Sequence, residues 1–234
     1  MHYLLDNPAW HAMKTGNKAF AIANDNTGYF PKEISPFIGS PEISEDHFKL
    51  LYDTIPFESH FIFIAPQDIE IPGMWETVAY LQCLQMVLDA AAPAEADHED
   101  IVPLNDRHIP QMLELTKLTN PGPFAERTIQ FGHYRGIFDG DKLVAMAGQR
   151  LNPVPYAEIS AVCTHPDYLG RGYAGKLLLN QAHRIREAGG IPFLHVKAGN
   201  ERAIKVYGKL GFVTRKEMSF YVLRKGEPPL NLPR

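Results

Sequence analysis

The sequence predicts an α/β chain of the α+β kind: a mixed, mostly antiparallel central sheet flanked by helices, preceded by an N-terminal α/β extension. Three observations predict it. The turn "DGD" separates "HYRGIF" from "KLVAMAGQRL", and its Asp139-Gly140 pair is a strong hairpin signal that forces antiparallel pairing. Between the strand patterns "YAEISAVCT" and "IPFLHVKA", Ala174, Leu177, Leu178, Ala182 and Ile185 form one helical stripe, and a helical crossover permits a parallel pair. The small, acidic, proline-bearing stretch "DAAAPAEADHED" has no apolar face to bury and divides the chain.

On that division, residues 1–92 are an N-terminal α/β region, 93–99 a linker and 100–234 the larger domain. In the first part "FIFIA" and "DIEIP" read as strands, and "MWETVAYLQCLQMVLDA" has the length and apolar density of a helix. In the second, "IVPL" is a short strand and "NDRHIPQMLELTKLT" a helix capped by Asn105 or Asp106. "PGPFAERTIQFG" is a loop with a short second helix, and the hairpin and "YAEISAVCT" follow. The striped helix stops at Gly189-Gly190, "IPFLHVKA" is a strand, and "NERAIKVYGKLGF" is a helix from Asn200 to Gly211. "FVTRKEMSFYVLR" closes the pattern with one or two strands.

Composition narrows the function. The 234 residues are 45% hydrophobic and 11% aromatic, enough for a packed core. A formal charge of −4 with no lysine or arginine stripe leaves a nucleic-acid backbone without an electrostatic footprint. No apolar run approaches the roughly 20 residues of a membrane span, and "MHYLLDNPAW" lacks a basic leader, so a cytoplasmic protein without membrane attachment is expected. Cys83 and Cys163 lack metal or disulfide spacing and read as buried thiols, with no metal expected.

The stretch "CTHPDYLGRGYAGKLLLNQA" carries Gly170, Gly172 and Gly175 in GxGxxG spacing before a helix. A dinucleotide fold places that motif in the turn directly after its first strand and an acidic residue about 20 positions later. Here several residues intervene after the strand, and "FLHVKAGN" has no carboxylate. What remains is phosphate binding by the glycine backbone and the free N–H groups of the helix's first turn.

"VCTHPDYLGRGYAGKLL" followed by "NERAIKVYGKLGF" resembles the GNAT superfamily (GCN5-related N-acetyltransferases), and "EISAVCTHPDY" is similar to its FR47-like branch. The resemblance covers roughly residues 99 to 224 and implies the GNAT fold with acetyl-CoA as co-substrate. The family's loop, Q/R-x-x-G-x-G/A, falls on Leu169, Gly170, Arg171, Gly172, Tyr173 and Ala174. Leu169 departs from the pattern and removes a side-chain contact to the pyrophosphate, part of which Arg171 is expected to supply. The resemblance implies that the strand end Val162, Cys163 and Thr164 lends backbone to the pantetheine arm, that the loop through Gly175 faces the pyrophosphate, and that Asn200 and Ala203 line the arm. It also sets Tyr207 beside the thioester sulfur. The first ninety residues are then either a degenerate copy of the same fold, a support or substrate wall, or a homodimer surface, and "TNPGPFAERT" borders the acceptor pocket.

The implied activity is transfer of an acetyl group to an amine by direct attack in a ternary complex. An amine must lose a proton first, the developing oxyanion needs a donor such as the backbone N–H near Val162, and the departing thiolate needs a hydrogen-bond donor. Tyr207 is the expected acid. Glu158 is the expected base, because strict alternation along the strand puts it on one face with Ser160, Val162 and Thr164 and opposite Cys163. His195 is a weaker candidate, since a histidine among apolar neighbours is commonly a hydrogen-bonded core residue. His165 is read as shaping its turn. A small-molecule amine or amino-acid-like acceptor fits the weak net charge. A non-catalytic acyl-CoA-binding module, another acyl chain or an oxygen acceptor would keep the same motifs.

Overall fold

A computed structural model describes residues 2–90 and 100–226. The stretch 93–99 read as a linker lies outside the described residues. The first part opens with α1 (Pro8–Lys14), then the short strands β1 (Ile22–Ala23), β2 (Gly28–Tyr29) and β3 (Ile38–Gly39), which form a small three-stranded sheet. Helix α2 (Glu45–Thr54) follows, its N-terminus capped by the Ser44 hydroxyl, which accepts from the His47 N–H. Strands β4 (Phe61–Ala65) and β5 (Trp75–Val87) complete this part.

The second part runs β6 (Val102–Pro103), α3 (Ile109–Thr119), β7 (Arg135–Asp139), β8 (Lys142–Gln149), β9 (Tyr156–Thr164), α4 (Tyr173–Glu187), β10 (Ile191–Lys197), α5 (Glu201–Lys209) and β11 (Val213–Lys225). The element order matches the sequence pattern. Asn105 caps the 3-10 turn that leads into α3, and Gly140 takes a φ of 58° in the β7–β8 turn.

Eight strands form one sheet in the order β4-β11-β5-β10-β9-β8-β7-β6. Every neighbouring pair is antiparallel except β9 with β10. Two expectations from the first part are corrected here. The run from Trp75 to Val87 is a strand, because both of its edges are claimed, by β11 along its length and by β10 from Cys83 to Val87. Its Thr77, Val78 and Tyr80 suit a pleated surface, and sheet pairing outweighs apolar density as a helix signal. "DIEIP" belongs to no strand. The sheet is therefore shared: β5 from the first part separates β10 and β11 of the second.

Helices cover both faces. On one, Leu178, Ala182 and Ile185 of α4 pack with Ile159, Leu194 and Phe212, and α5 joins them through Ala203 and Val206. On the other, Met112 and Leu115 of α3 pack with Tyr134, Met146 and Cys163, while α1 buries Ala9, Ala12 and Met13 against Phe30, Phe37 and Phe220. Leu177 and Leu178 are fully buried, worth about 1.5–3 kcal/mol each relative to exposure.

Candidate active site

The parallel pair β9–β10 holds only from Tyr156 opposite Ile191 to Glu158 opposite Phe193. Beyond it the two strands part. The cause lies in β9, where Ala161 takes a φ of 52° and the register with β8 slips between Met146 and Gly148, so one extra residue is accommodated as a bulge. The His165 N–H donates to the Val144 carbonyl, so by alternation Cys163 also faces β8, while the backbone N–H and C=O of Val162 and Thr164 face the open gap.

The bulge also shifts the side chains. Ile159 and Val162 pack on the α4 side, whereas Ala161 and Cys163 pack with α3. Strict alternation fails between them, and the expected grouping of Glu158 with Val162 and Thr164 is not what forms.

Two cavities meet at this gap. The first, about 450 Å³, runs over the glycine loop and is lined by Tyr168, Leu169, Gly170, Gly172, Tyr173, Ala174 and Gly175 at one end and by Ala203, Val206 and Arg202 along its side. The second, about 620 Å³, opens on the opposite side and is bounded by Phe37, Leu81 and Phe220 and by the loop Thr119–Pro123. Val162, Cys163, Thr164, Asn200 and Tyr207 line both. Most of the sequence-predicted residues are thereby brought together.

At the loop end, Gly170 and Gly172 have φ of 84° and 80°, a backbone that side chains resist, and a Cβ on Gly170, Gly172 or Gly175 would point into open space. Gly172 caps α4 without a side-chain hydrogen bond, which leaves the first-turn N–H groups free to meet an anion. Leu169 is half exposed at the rim. Arg171 does not line the cavity: its guanidinium lies 4.6 Å from the Tyr168 ring centroid, and Tyr168 in turn donates to Asp139 at 2.6 Å. The cation that does line it is Arg202, which sequence reasoning missed although it stands two positions after Asn200. His165 accepts from the Asp167 N–H through Nδ1 and shapes the turn, as expected.

At the junction, the Asn200 side-chain oxygen accepts from the Ala203 N–H and caps α5. Burial pushes the Tyr207 phenol up to about 12, so it stays protonated, and its hydroxyl has no hydrogen-bond partner among the described residues. Thr164 Oγ1 is buried there, also unpartnered. Cys83 and Cys163 are free thiols raised by burial to about 11 and about 12, which makes nucleophilic thiolates scarce.

Glu158 lies under the second cavity, not in it. It is fully buried, and both oxygens are committed: Arg150 donates through Nη2 at 2.6 Å and Nε at 2.9 Å, and His195 Nδ1 lies 2.7 Å away. Burial pushes its carboxyl up, but the Arg150 guanidinium and then His195 outweigh this and hold it at about 2. A carboxylate so held is a poor proton acceptor, and the expected base role is corrected accordingly. The tautomer of His195 follows from its other partner. Gln85 accepts from Arg215 at 2.6 Å through Oε1 and donates to the Leu5 carbonyl at 2.8 Å through Nε2. Its Nε2 therefore donates to His195 Nε2 at 3.0 Å, and His195 donates from Nδ1 to Glu158. Neither imidazole nitrogen is left for a substrate. A lone arginine directly after one apolar strand and a lone glutamate on the next were the sequence signal for this pair, since such charges go inside only when paired.

A splayed parallel pair, a glycine loop feeding a helix N-terminus, and a protonated tyrosine where two cavities join define an acyltransferase of the GCN5-related class. Comparison with known proteins agrees. The FR47-like protein family model matches residues 134–221. A crystal structure from Novosphingobium aromaticivorans, assigned to the GNAT family as an acetyltransferase, is 30% identical, with 95% of this chain and 98% of that chain covered and a TM-score of 0.88. A GCN5-related N-acetyltransferase from Kribbella flavida shares the fold at 11% identity, with 95% and 97% covered and a TM-score of 0.58. The N-alpha-acetyltransferase RimI of Mycobacterium tuberculosis is 34% identical over 84 residues, or 34% of this chain; the match spans about half of that relative's length, 51%. The chain belongs to the GNAT family of acetyltransferases, and its FR47-like match is confined to residues 134–221. No helix among the described residues is long and apolar enough to cross a membrane, and among them no cluster of metal-ligating side chains occurs.

Proposed function

We propose that the protein is an acetyl-CoA-dependent N-acetyltransferase acting on a small amine by direct transfer in a ternary complex. The observation that carries this reading is the meeting of two separate cavities at Val162–Thr164, Asn200 and Tyr207. One cavity suits a long carrier and the other its acceptor.

The residues present fit acetyl-CoA. The Gly170–Gly172 backbone and the free N–H groups of α4 would hold its pyrophosphate, with Arg202 adding charge. The exposed edge of Val162 and Thr164 would pair with its pantetheine amides as an added strand. When bound, it supplies a thioester carbonyl open to attack. The backbone N–H groups on the splayed edge stabilise charge developing on that carbonyl oxygen. Tyr207 donates a hydrogen bond to the departing sulfur; with its proton held to about 12, it stabilises the thiolate and relays a proton from the acceptor nitrogen. Glu158 and His195 are positioning residues, held beneath the cavity by their bonds to Arg150 and Gln85. Among the described residues no carboxylate lines the acceptor cavity, and Lys197 does, so nearby positive charge favours the neutral amine. The ammonium's first proton leaves to water, and the second, lost as the amide forms, is the one that passes by Tyr207 to the sulfur.

Thermal unfolding with acetyl-CoA, CoA and NAD, followed by a thiol-release assay on an amine panel, tests this. Stabilisation by both CoA species but not NAD, of roughly 2.7 kcal/mol at 100 times the dissociation constant, together with amine-dependent thiol release, is the expected result. Stabilisation without release by any amine would make the chain a binding module.

A further inference from the structure

The acceptor cavity has an unused donor. Arg150 spends Nε and one hydrogen of Nη2 on Glu158, and Nη1 has no hydrogen-bond partner among the described residues. The side chain is about nine-tenths buried, with 10% exposed, and it lines the cavity beside the Pro121–Pro123 lip, where a Cβ on Gly122 would stand 3.7 Å from Nη1. The guanidinium is fixed from below by Glu158 and from the side by Phe37, whose ring centroid lies 4.7 Å from Cζ. A fixed fork with a vacant nitrogen recognises a planar oxyanion better than a mobile ammonium does.

The rest of the wall gives the same sign. Lys197 is a second cation on the cavity, and among the described residues no aspartate or glutamate lines it. Glu158 beneath neutralises Arg150, so the net charge facing an acceptor is positive. A polyamine would meet repulsion. Ile62, Leu81, Phe220 and Val222 offer an apolar surface for a side chain.

We infer that the acceptor is an amine that also carries a carboxylate, an amino acid with an apolar side chain, and that Arg150 Nη1 is its carboxylate anchor and sets specificity. This rests on the acyltransfer reading of the cavity junction. Docking the carboxylate at Arg150 holds one end of the acceptor while its amine reaches the junction at Tyr207, and no bond is made or broken at Arg150 itself.

The test is calorimetric titration of the full chain, loaded with CoA, with three product probes: N-acetyl-leucine, its primary amide, and N-(3-methylbutyl)acetamide, which lacks the carboxyl group. The acid is expected to bind at least tenfold more tightly than the decarboxylated probe, with the amide between them. Arg150→Gln should erase that gap while the unfolding midpoint still rises with CoA. If the single variant does not fold, Arg150→Met/Glu158→Gln removes both charges and leaves an amide oxygen for His195, and the gap should vanish there too. Equal affinity of the three probes, no binding of the acid, or a gap that survives both variants would overturn the anchor. The two readings separate cleanly. An Arg150-dependent gap without thiol release from any amine sinks the transferase reading and keeps the anchor, whereas equal turnover of leucine and 3-methylbutylamine does the reverse.

Discussion

Arg150 and Glu158 meet edge to edge, Nη2 to Oε1 at 2.6 Å and Nε to Oε2 at 2.9 Å, with the carboxylate wholly out of water. The pair ties β8's end to β9 just before the bulge, so it sets the geometry of the gap above it. Breaking it strands a buried charge. Glu158→Ala is expected to cost about 3–5 kcal/mol, read as a lower urea midpoint at pH 7.

The same carboxylate makes stability acid-sensitive. Its folded value of about 2 lies below the ordinary 4.5, so its contribution is fully present above pH 4.5 and is lost as pH falls toward 2. A unfolding free energy that stays level across that window in the wild-type protein, or falls as steeply in Glu158→Gln, would contradict the assignment. In turnover, Glu158→Gln should lower the rate without moving the pH at which it rises, because a carboxyl held at about 2 is already ionised throughout that range.

Tyr207→Phe removes a phenol hydroxyl at the junction that has no hydrogen-bond partner among the described residues. A lost hydrogen bond to a developing charge predicts a fall in kcat of about 10- to 100-fold, with the CoA-induced rise in unfolding midpoint unchanged. Steady-state kinetics beside the melting curves separates this from a packing defect, which would move both.

Gly172→Ala places a Cβ on a backbone with φ of 80° where no neighbour interferes. Strain alone should cost about 1–2 kcal/mol. Relaxing that strain turns the α4 N–H groups away, so CoA affinity should fall by more than stability does. Equal CoA binding by the variant would show that these amides do not hold the pyrophosphate.

Arg202→Gln should raise the KM for acetyl-CoA several-fold at low salt and much less near 0.5 M salt, where an exposed charge is screened within roughly 4–5 Å. Arg171→Gln, whose parent side chain lies on Tyr168, should leave KM nearly unchanged.

Much of this protein is legible in the linear chain. The hairpin at Asp139-Gly140, the stripe from Ala174 to Ile185, the Asn200 cap and the glycines at 170 and 172 are local signals, carried by residues within a few positions of one another. Local signals survive folding because they act through the backbone nearby. Trp75–Val87 was misread for the opposite reason: an apolar run takes its conformation from the partners on its edges, and β10 and β11 lie far away in sequence. Glu158 was misplaced because one residue at Ala161 adopts a left-handed backbone and shifts the alternation, which no pattern of side chains announces.

The sequence by itself determined the class of chemistry, since a phosphate loop needs glycine backbones and a helix start, and both are contiguous. Only the tertiary structure decided what surrounds that chemistry. It buried Glu158 against Arg150 and His195, set Arg202 rather than Arg171 on the wall of the loop cavity, and brought Arg150, Lys197 and Phe37 to one cavity. Charge and burial depend on which distant segments pack together, and sheet pairing between the two ends of the chain sets that.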